Sequence, residues 1–152
     1  MGRPWCGGGL FSKALSALLP DGSKIIAVDK DAKALQGITL PNPKVVLETH
    51  AGDFNGGDLS LKNLDGVLMA NALHFVGPKK LFLKQLKKIL KPSGRVIVIE
   101  YDMNQPNEWV PYPLSFKELE KLVREAGFES TLWLGETPSL YSRANIYAAL
   151  VR

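Results

Sequence analysis

Cysteine and histidine are scarce in this chain, and their scarcity removes whole classes of chemistry. Among 152 residues there is one cysteine, Cys6, and there are two histidines, His50 and His74. A lone thiol closes no internal disulfide, and three such residues so far apart make no zinc-type ligand set, so no metal is expected. Also missing is any apolar run near the ~20 residues that cross a bilayer, and the N-terminus lacks the basic start and apolar stretch of a secretory signal. The expected location is the cytoplasm, with no membrane partner.

Charge is not strongly one-sided either. Nineteen Lys and Arg stand against 15 Asp and Glu, for a net charge of +4. The lysines concentrate in one segment, where Lys79, Lys80, Lys84, Lys87, Lys88 and Lys91 interleave with Phe82, Leu83, Leu86, Ile89 and Leu90. That spacing reads as a helix with one wet face and one buried stripe, and it is preferred over a nucleic-acid patch. With 45% hydrophobic residues and no repeat or low-complexity tract, the chain is sized for one domain over 1–152.

The order of elements indicates the fold class. Leu10 to Leu19 has helical spacing and stops before Pro20-Asp21-Gly22. "KIIAVD", Lys24 to Asp29, is a short apolar run ending in a carboxylate, as a buried parallel strand should read. A brief helix from Ala32 to about Gly37 precedes a strand-like stretch from Lys44 to Asp53. Val67 to Ala70 is a third apolar run, ending at Asn71 and His74. The lysine-rich helix closes at Lys91-Pro92-Ser93-Gly94, and "RVIVIEY", Arg95 to Tyr101, is a strand dominated by β-branched residues. This alternation predicts an α/β, doubly wound, mostly parallel sheet.

Ser115 and Glu118 have capping-box spacing at the start of a helix that Gly127 ends. "ESTLWL" and "NIYAALV" follow with only about ten residues between them, too few for a parallel crossover, so they are expected to pair as a C-terminal antiparallel hairpin at one edge.

This order, together with "CGGGLFSKAL", "IIAVDKD", "HAGDF" and "LDGVLMANALHFV", resembles the class I S-adenosylmethionine-dependent methyltransferases over nearly the whole chain from Cys6 to Arg152. The resemblance implies a Rossmann-like fold, S-adenosylmethionine as cofactor and a small-molecule methyl acceptor. It assigns the backbone around Cys6, Gly7 and Gly9 to the methionine part of the cofactor, although such glycines also make plain tight turns. Asp29 is assigned to the ribose hydroxyls, or else caps the helix after it. Asp53 with Phe54 is assigned to adenine, or else is a polar strand end beside a core aromatic.

Asn71 follows the fourth family strand, where the family places cofactor-contacting backbone. His74 is the candidate general base, with a packed, hydrogen-bonded histidine as the other reading. Glu100, Tyr101, Asp102, Trp109, Tyr112 and Tyr141 are candidates for the acceptor pocket.

The start of the chain departs from the pattern. Arg3, Pro4 and Trp5 stand where the family has an acid, an apolar strand residue and the first glycine. The first strand is therefore expected to be absent or a stub, the chain truncated at Met1, and the sheet completed by rearrangement or by a homodimer partner. Two further functions fit some of these features: a non-catalytic methyltransferase-like remnant acting as a binding module, and a nicotinamide-dependent reductase.

Overall fold

The computed structural model describes residues 8–56 and 60–152. Cys6, Gly7 and the expected first-strand stub lie outside the described residues. The chain divides into two compact units, Met1–Leu59 and Ser60–Arg152, and each is taken by itself below.

In the first unit, helix α1 (Leu10–Leu18) leads to strand β1 (Lys24–Asp29), helix α2 (Ala32–Gln36), strand β2 (Val46–Ala51) and a single 3-10 turn, Phe54–Gly56. β1 and β2 pair in parallel, with Lys24 opposite Val46 and Asp29 opposite Ala51. Consecutive residues Ala27, Val28 and Asp29 are all buried, the pattern of a strand covered on both faces. Ala27 packs with Leu35 and Ile38, and Leu40 and Leu47 close around them. α2 opens on Asp31, whose carboxylate accepts from the Lys33 N–H. The helix cap is thus Asp31, and Asp29 does not fill that role.

Gly9 shows why a glycine starts α1. Its φ is +77°, and a Cβ placed there would lie 2.8 Å from Cγ2 of Ile38. Gly9→Ala is therefore expected to lower the unfolding free energy by about 1–3 kcal/mol, combining left-handed backbone strain with displacement of Ile38. Urea denaturation of the two proteins measures it.

In the second unit, strand β3 (Leu64–Ala70), a 3-10 turn at Leu73–Phe75, helix α3 (Lys79–Ile89), strand β4 (Leu90–Tyr101), helix α4 (Phe116–Glu125) and strands β5 (Thr131–Pro138) and β6 (Asn145–Val151) follow in order. The sheet order is β3-β4-β6-β5, with β3 parallel to β4 and β6 antiparallel to both β4 and β5. The expected hairpin forms at the sheet edge, its second strand inserted beside β4. Among the described residues two strand pairings are parallel and two antiparallel.

β4 begins earlier than its β-branched run. Leu90 already pairs with Leu64, and the next partners are Gly66 and Arg95, so residues 91–94 loop out between two ladder positions. The turn expected at Lys91-Pro92-Ser93-Gly94 thus sits inside the strand. A Cβ on Gly94 would meet Leu90 Cβ and Lys91 O, both at 2.9 Å, which is why this loop-out carries a glycine.

Strand alternation selects the core. Val96, Val98 and Glu100 of β4 stand opposite Val151, Ala149 and Tyr147 of β6, and all six are buried. α3 buries Phe82, Leu83 and Leu86, and α4 buries Leu119 and Val123. Ser115 caps α4 by accepting from the Glu118 N–H at 3.4 Å, and Gly127 adopts φ +90° just past its end.

One lysine does not behave as a solvated residue. Lys79 is buried, because it lies three, four and seven positions before Phe82, Leu83 and Leu86 and so shares their stripe.

Candidate active site

Parallel pairing brings two of the predicted carboxylates to one end of the first unit. β1 ends at Asp29 opposite Ala51, the Gly52 N–H donates to the Asp29 carbonyl at 2.9 Å, and Asp53 follows directly. Asp29 is fully buried, and its Oδ1 accepts from the Asp31 N–H at 2.9 Å. Asp53 is more open and pairs with Lys30 at 2.8 Å while accepting from the Asn55 N–H at 2.9 Å. Partial burial pushes the Asp53 carboxyl up, but the Lys30 ammonium and the Asn55 N–H together hold it below its ordinary value. Phe54 begins the 3-10 turn immediately after it. Gly9 supplies the left-handed residue at the start of α1, and no side chain caps that helix.

In the second unit Asn71 stands just past β3 with φ 52°, held by its N–H to the Ile99 carbonyl at 2.8 Å. Asparagine tolerates this backbone region better than most residues. Its side-chain Oδ1 is buried and accepts no hydrogen bond from the described residues. A buried acceptor left in this state costs free energy unless something fills it.

His74 follows in the 3-10 turn Leu73–Phe75, and it is almost wholly enclosed. Nδ1 lies 2.7 Å from Glu100 Oε2, and the His74 backbone N–H donates to Glu100 Oε1 at 3.2 Å. Both carboxylate oxygens are thereby committed to one residue. An ionised carboxylate can only accept, so Nδ1 is the donor in this contact and Nε2 is the ring nitrogen left to act on other groups. The ring also sits 4.3 Å from Phe75 and 5.9 Å from Tyr101, centroid to centroid. A second tether runs from the Tyr112 N–H to the His74 carbonyl at 3.0 Å.

Sequence reasoning named both residues of this pair but not their partnership. The signal was present: in "RVIVIEY" Glu100 continues the inward alternation of Val96 and Val98, and a carboxylate at a core-facing position needs a partner.

Asp102 accepts from the Phe116 N–H at 2.9 Å, Tyr101 is buried, and Trp109 and Tyr141 are largely exposed. Tyr147 donates its hydroxyl to the Leu114 carbonyl at 3.0 Å. Burial, and then the nearby Glu100 and Asp102 carboxylates, push its phenol far upward, so it stays a neutral donor.

Among the described residues no cluster of three or more His, Cys, Asp or Glu could hold a metal, and no helix is long and apolar enough to cross a membrane.

Comparison with known proteins agrees with this architecture. Residues 5–98 match the family model described as a methyltransferase domain. "Probable thiol methyltransferase 2" of Arabidopsis thaliana is 32% identical over 54 residues, which cover 36% of this chain and 24% of that protein, so the match spans about a quarter of that relative's length.

Among solved structures, a SAM-dependent methyltransferase from Methanosarcina mazei superposes with a TM-score of 0.69 at 16% identity, covering 97% of this chain and 88% of its own. A SAM-dependent methyltransferase from Aquifex aeolicus gives 0.67 at 20% identity, with 97% and 79% covered. DhpI, solved as a complex with SAH, gives 0.70 at 18% identity, with 95% and 72% covered. At such identities these structures speak for the Rossmann-like fold. The comparisons give no support to a nicotinamide-dependent reductase or to a non-catalytic remnant. The family match covers more than half of the sequence, and the chain therefore belongs to the methyltransferase domain family.

Proposed function

We propose that this protein transfers a methyl group from S-adenosylmethionine to a small molecule bearing an ionisable nucleophile, with His74 as general base, and that 1–152 work as one methyltransferase-like domain. The observation that carries the base assignment is the buried His74 Nδ1 to Glu100 Oε2 contact of 2.7 Å.

The residues present fit the cofactor. In the first unit Gly9 bars a side chain at the start of α1, Asp29 ends β1, and Asp53 lies two residues past the end of the parallel neighbour β2. Asp29 would accept from ribose hydroxyls, Asp53 from the adenine amine with Phe54 against the ring, and Gly9 would let backbone approach the methionine part. Asn71, in the second unit, keeps the cofactor role that the resemblance assigns it, supported by its buried amide oxygen with no partner among the described residues. Cys6 and Gly7 belong to the same proposed binding set. When bound, the cofactor supplies an electrophilic methyl carbon.

His74 does the proton work. Glu100 holds its ring in one orientation and one tautomer, so Nε2 can take the proton that the acceptor's nucleophile gives up as it is methylated. Glu100 also stabilises the imidazolium that results. A site built this way suits hydroxyl, thiol or protonated amine acceptors, which need deprotonation, more than acceptors that are already strong nucleophiles. The Arabidopsis relative makes thiols one class to include in any acceptor panel.

Calorimetry with S-adenosylhomocysteine tests the donor side. Micromolar affinity, about −8 kcal/mol, is the expected result. Asp29→Asn is expected to weaken it by at least about tenfold, since the amide can accept at only one of the two positions. Preferential binding of a nicotinamide dinucleotide, or an unchanged affinity in D29N, would count against the assignment.

A further inference from the structure

Lys79 is the one charged residue on the buried stripe of α3. Its Nζ donates to the Val76 carbonyl at 2.8 Å, one residue past the turn that carries His74. The same ammonium lies 5.4 Å from the centre of the Tyr112 ring, and the Tyr112 N–H holds the His74 carbonyl. Lys79 thus grips both chain segments that hold His74 in place.

An ammonium in such a position is costly. Burial pushes the Lys79 amine down, and the Glu100 and Glu118 carboxylates push it back up. An apolar residue would fill a core stripe with less penalty, so the charge has a use other than packing.

Glu100 links the two groups, because the carboxylate that binds His74 also lies within electrostatic reach of Lys79. We propose that Lys79 is a positioning residue for His74, which clamps the turn that carries it and, through its charge, offsets part of the stabilisation that Glu100 gives the imidazolium. This deepens, and rests on, the reading of His74 as the base: a fixed cation near Glu100 repels further positive charge on the ring. The groups facing the cluster are Glu100 and the Tyr101 phenol from β4, Glu118 from α4, the Tyr112 ring from the loop 104–113, and the Tyr147 phenol from β6 beside Glu100.

The test reads the ring directly. In the full chain, NMR titration of the His74 Cε1 proton is compared between wild type, Lys79→Met, Lys79→Gln and Lys79→Arg. K79M removes the charge and keeps the length, and K79Q also keeps a donor for Val76. Both are expected to move the His74 titration upward relative to wild type. K79R, which keeps the charge, is expected to stay near wild type. Should K79M fail to fold, K79Q carries the same expectation.

A His74 titration unmoved in the folded neutral variant, or moved equally in K79R, overturns the inference. The acid limb of the methyl-transfer pH profile is followed in parallel. If the ring moves and the limb does not, the base reading fails while the coupling of Lys79 to His74 stands.

Discussion

Glu100→Ala is expected to be among the most destabilising single substitutions in this chain, lowering the unfolding free energy by about 2–5 kcal/mol. It strands two buried donors of His74, the backbone N–H and the Nδ1–H, and each unsatisfied group costs about 1–3 kcal/mol. It also leaves a hollow beside Val98 and Tyr147, two core neighbours that cannot close up freely. Glu100→Gln, with one acceptor remaining, should lose less.

The double variant H74L/E100M separates the pair's own contribution from the harm of breaking it. Replacing both partners with apolar residues removes the Nδ1–H donor and both side-chain desolvation penalties, leaving only the backbone N–H of residue 74 without its acceptor, so most of the stability lost in E100A should return. Urea unfolding of the four proteins measures this. If E100A unfolds at the wild-type midpoint, His74 has found other partners and the pair is not what holds the turn.

His74→Gln is expected to reduce the methyl-transfer turnover rate by about 10²- to 10⁴-fold, the usual contribution of a positioned acid or base. Glutamine retains polarity and approximate size but cannot accept a proton at this site. The affinity for S-adenosylhomocysteine should stay close to wild type, because the proposed role concerns the acceptor's proton and not the donor's grip. In the wild type, turnover should fall on the acid side as the ring protonates, and H74Q should lose that limb while keeping a low, flat rate. Turnover within a few-fold of wild type would mean that alignment of the nucleophile suffices, and His74 would then be a packed structural histidine.

H74L/E100M sharpens the second prediction by joining it to the first. A protein with most of the stability lost in E100A restored, able to bind S-adenosylhomocysteine and yet inactive, would place the pair's value in chemistry. Loss of all three properties together would place it in folding.

Much of this arrangement can be traced to local pattern. β1 runs over Lys24–Asp29 as its apolar run and terminal acid indicate, and α4 starts at the Ser115 cap and stops before Gly127. The short link between "ESTLWL" and "NIYAALV" allows only the antiparallel pairing that is seen. Strand ends moved where pattern is weak: Lys44 to Asp53 contracts to Val46–Ala51, and β3 extends back to Leu64, because ladder bonds with a neighbour set those limits. Composition alone groups Lys79 with the wet lysines, whereas its phase on α3 puts it among Phe82, Leu83 and Leu86.

The sequence by itself determined which residues turn inward, since helix and strand periods are built into the backbone and need no knowledge of what lies opposite. It also determined the family, through motifs whose order and spacing survive at low identity. Only the tertiary structure decided that Glu100 meets His74 across 26 residues of chain and that Lys79 reaches back to Val76. Those meetings depend on how α3, β4 and the turn after β3 pack together, and a directional, short-range contact between buried polar groups exists only once that packing has set their distance.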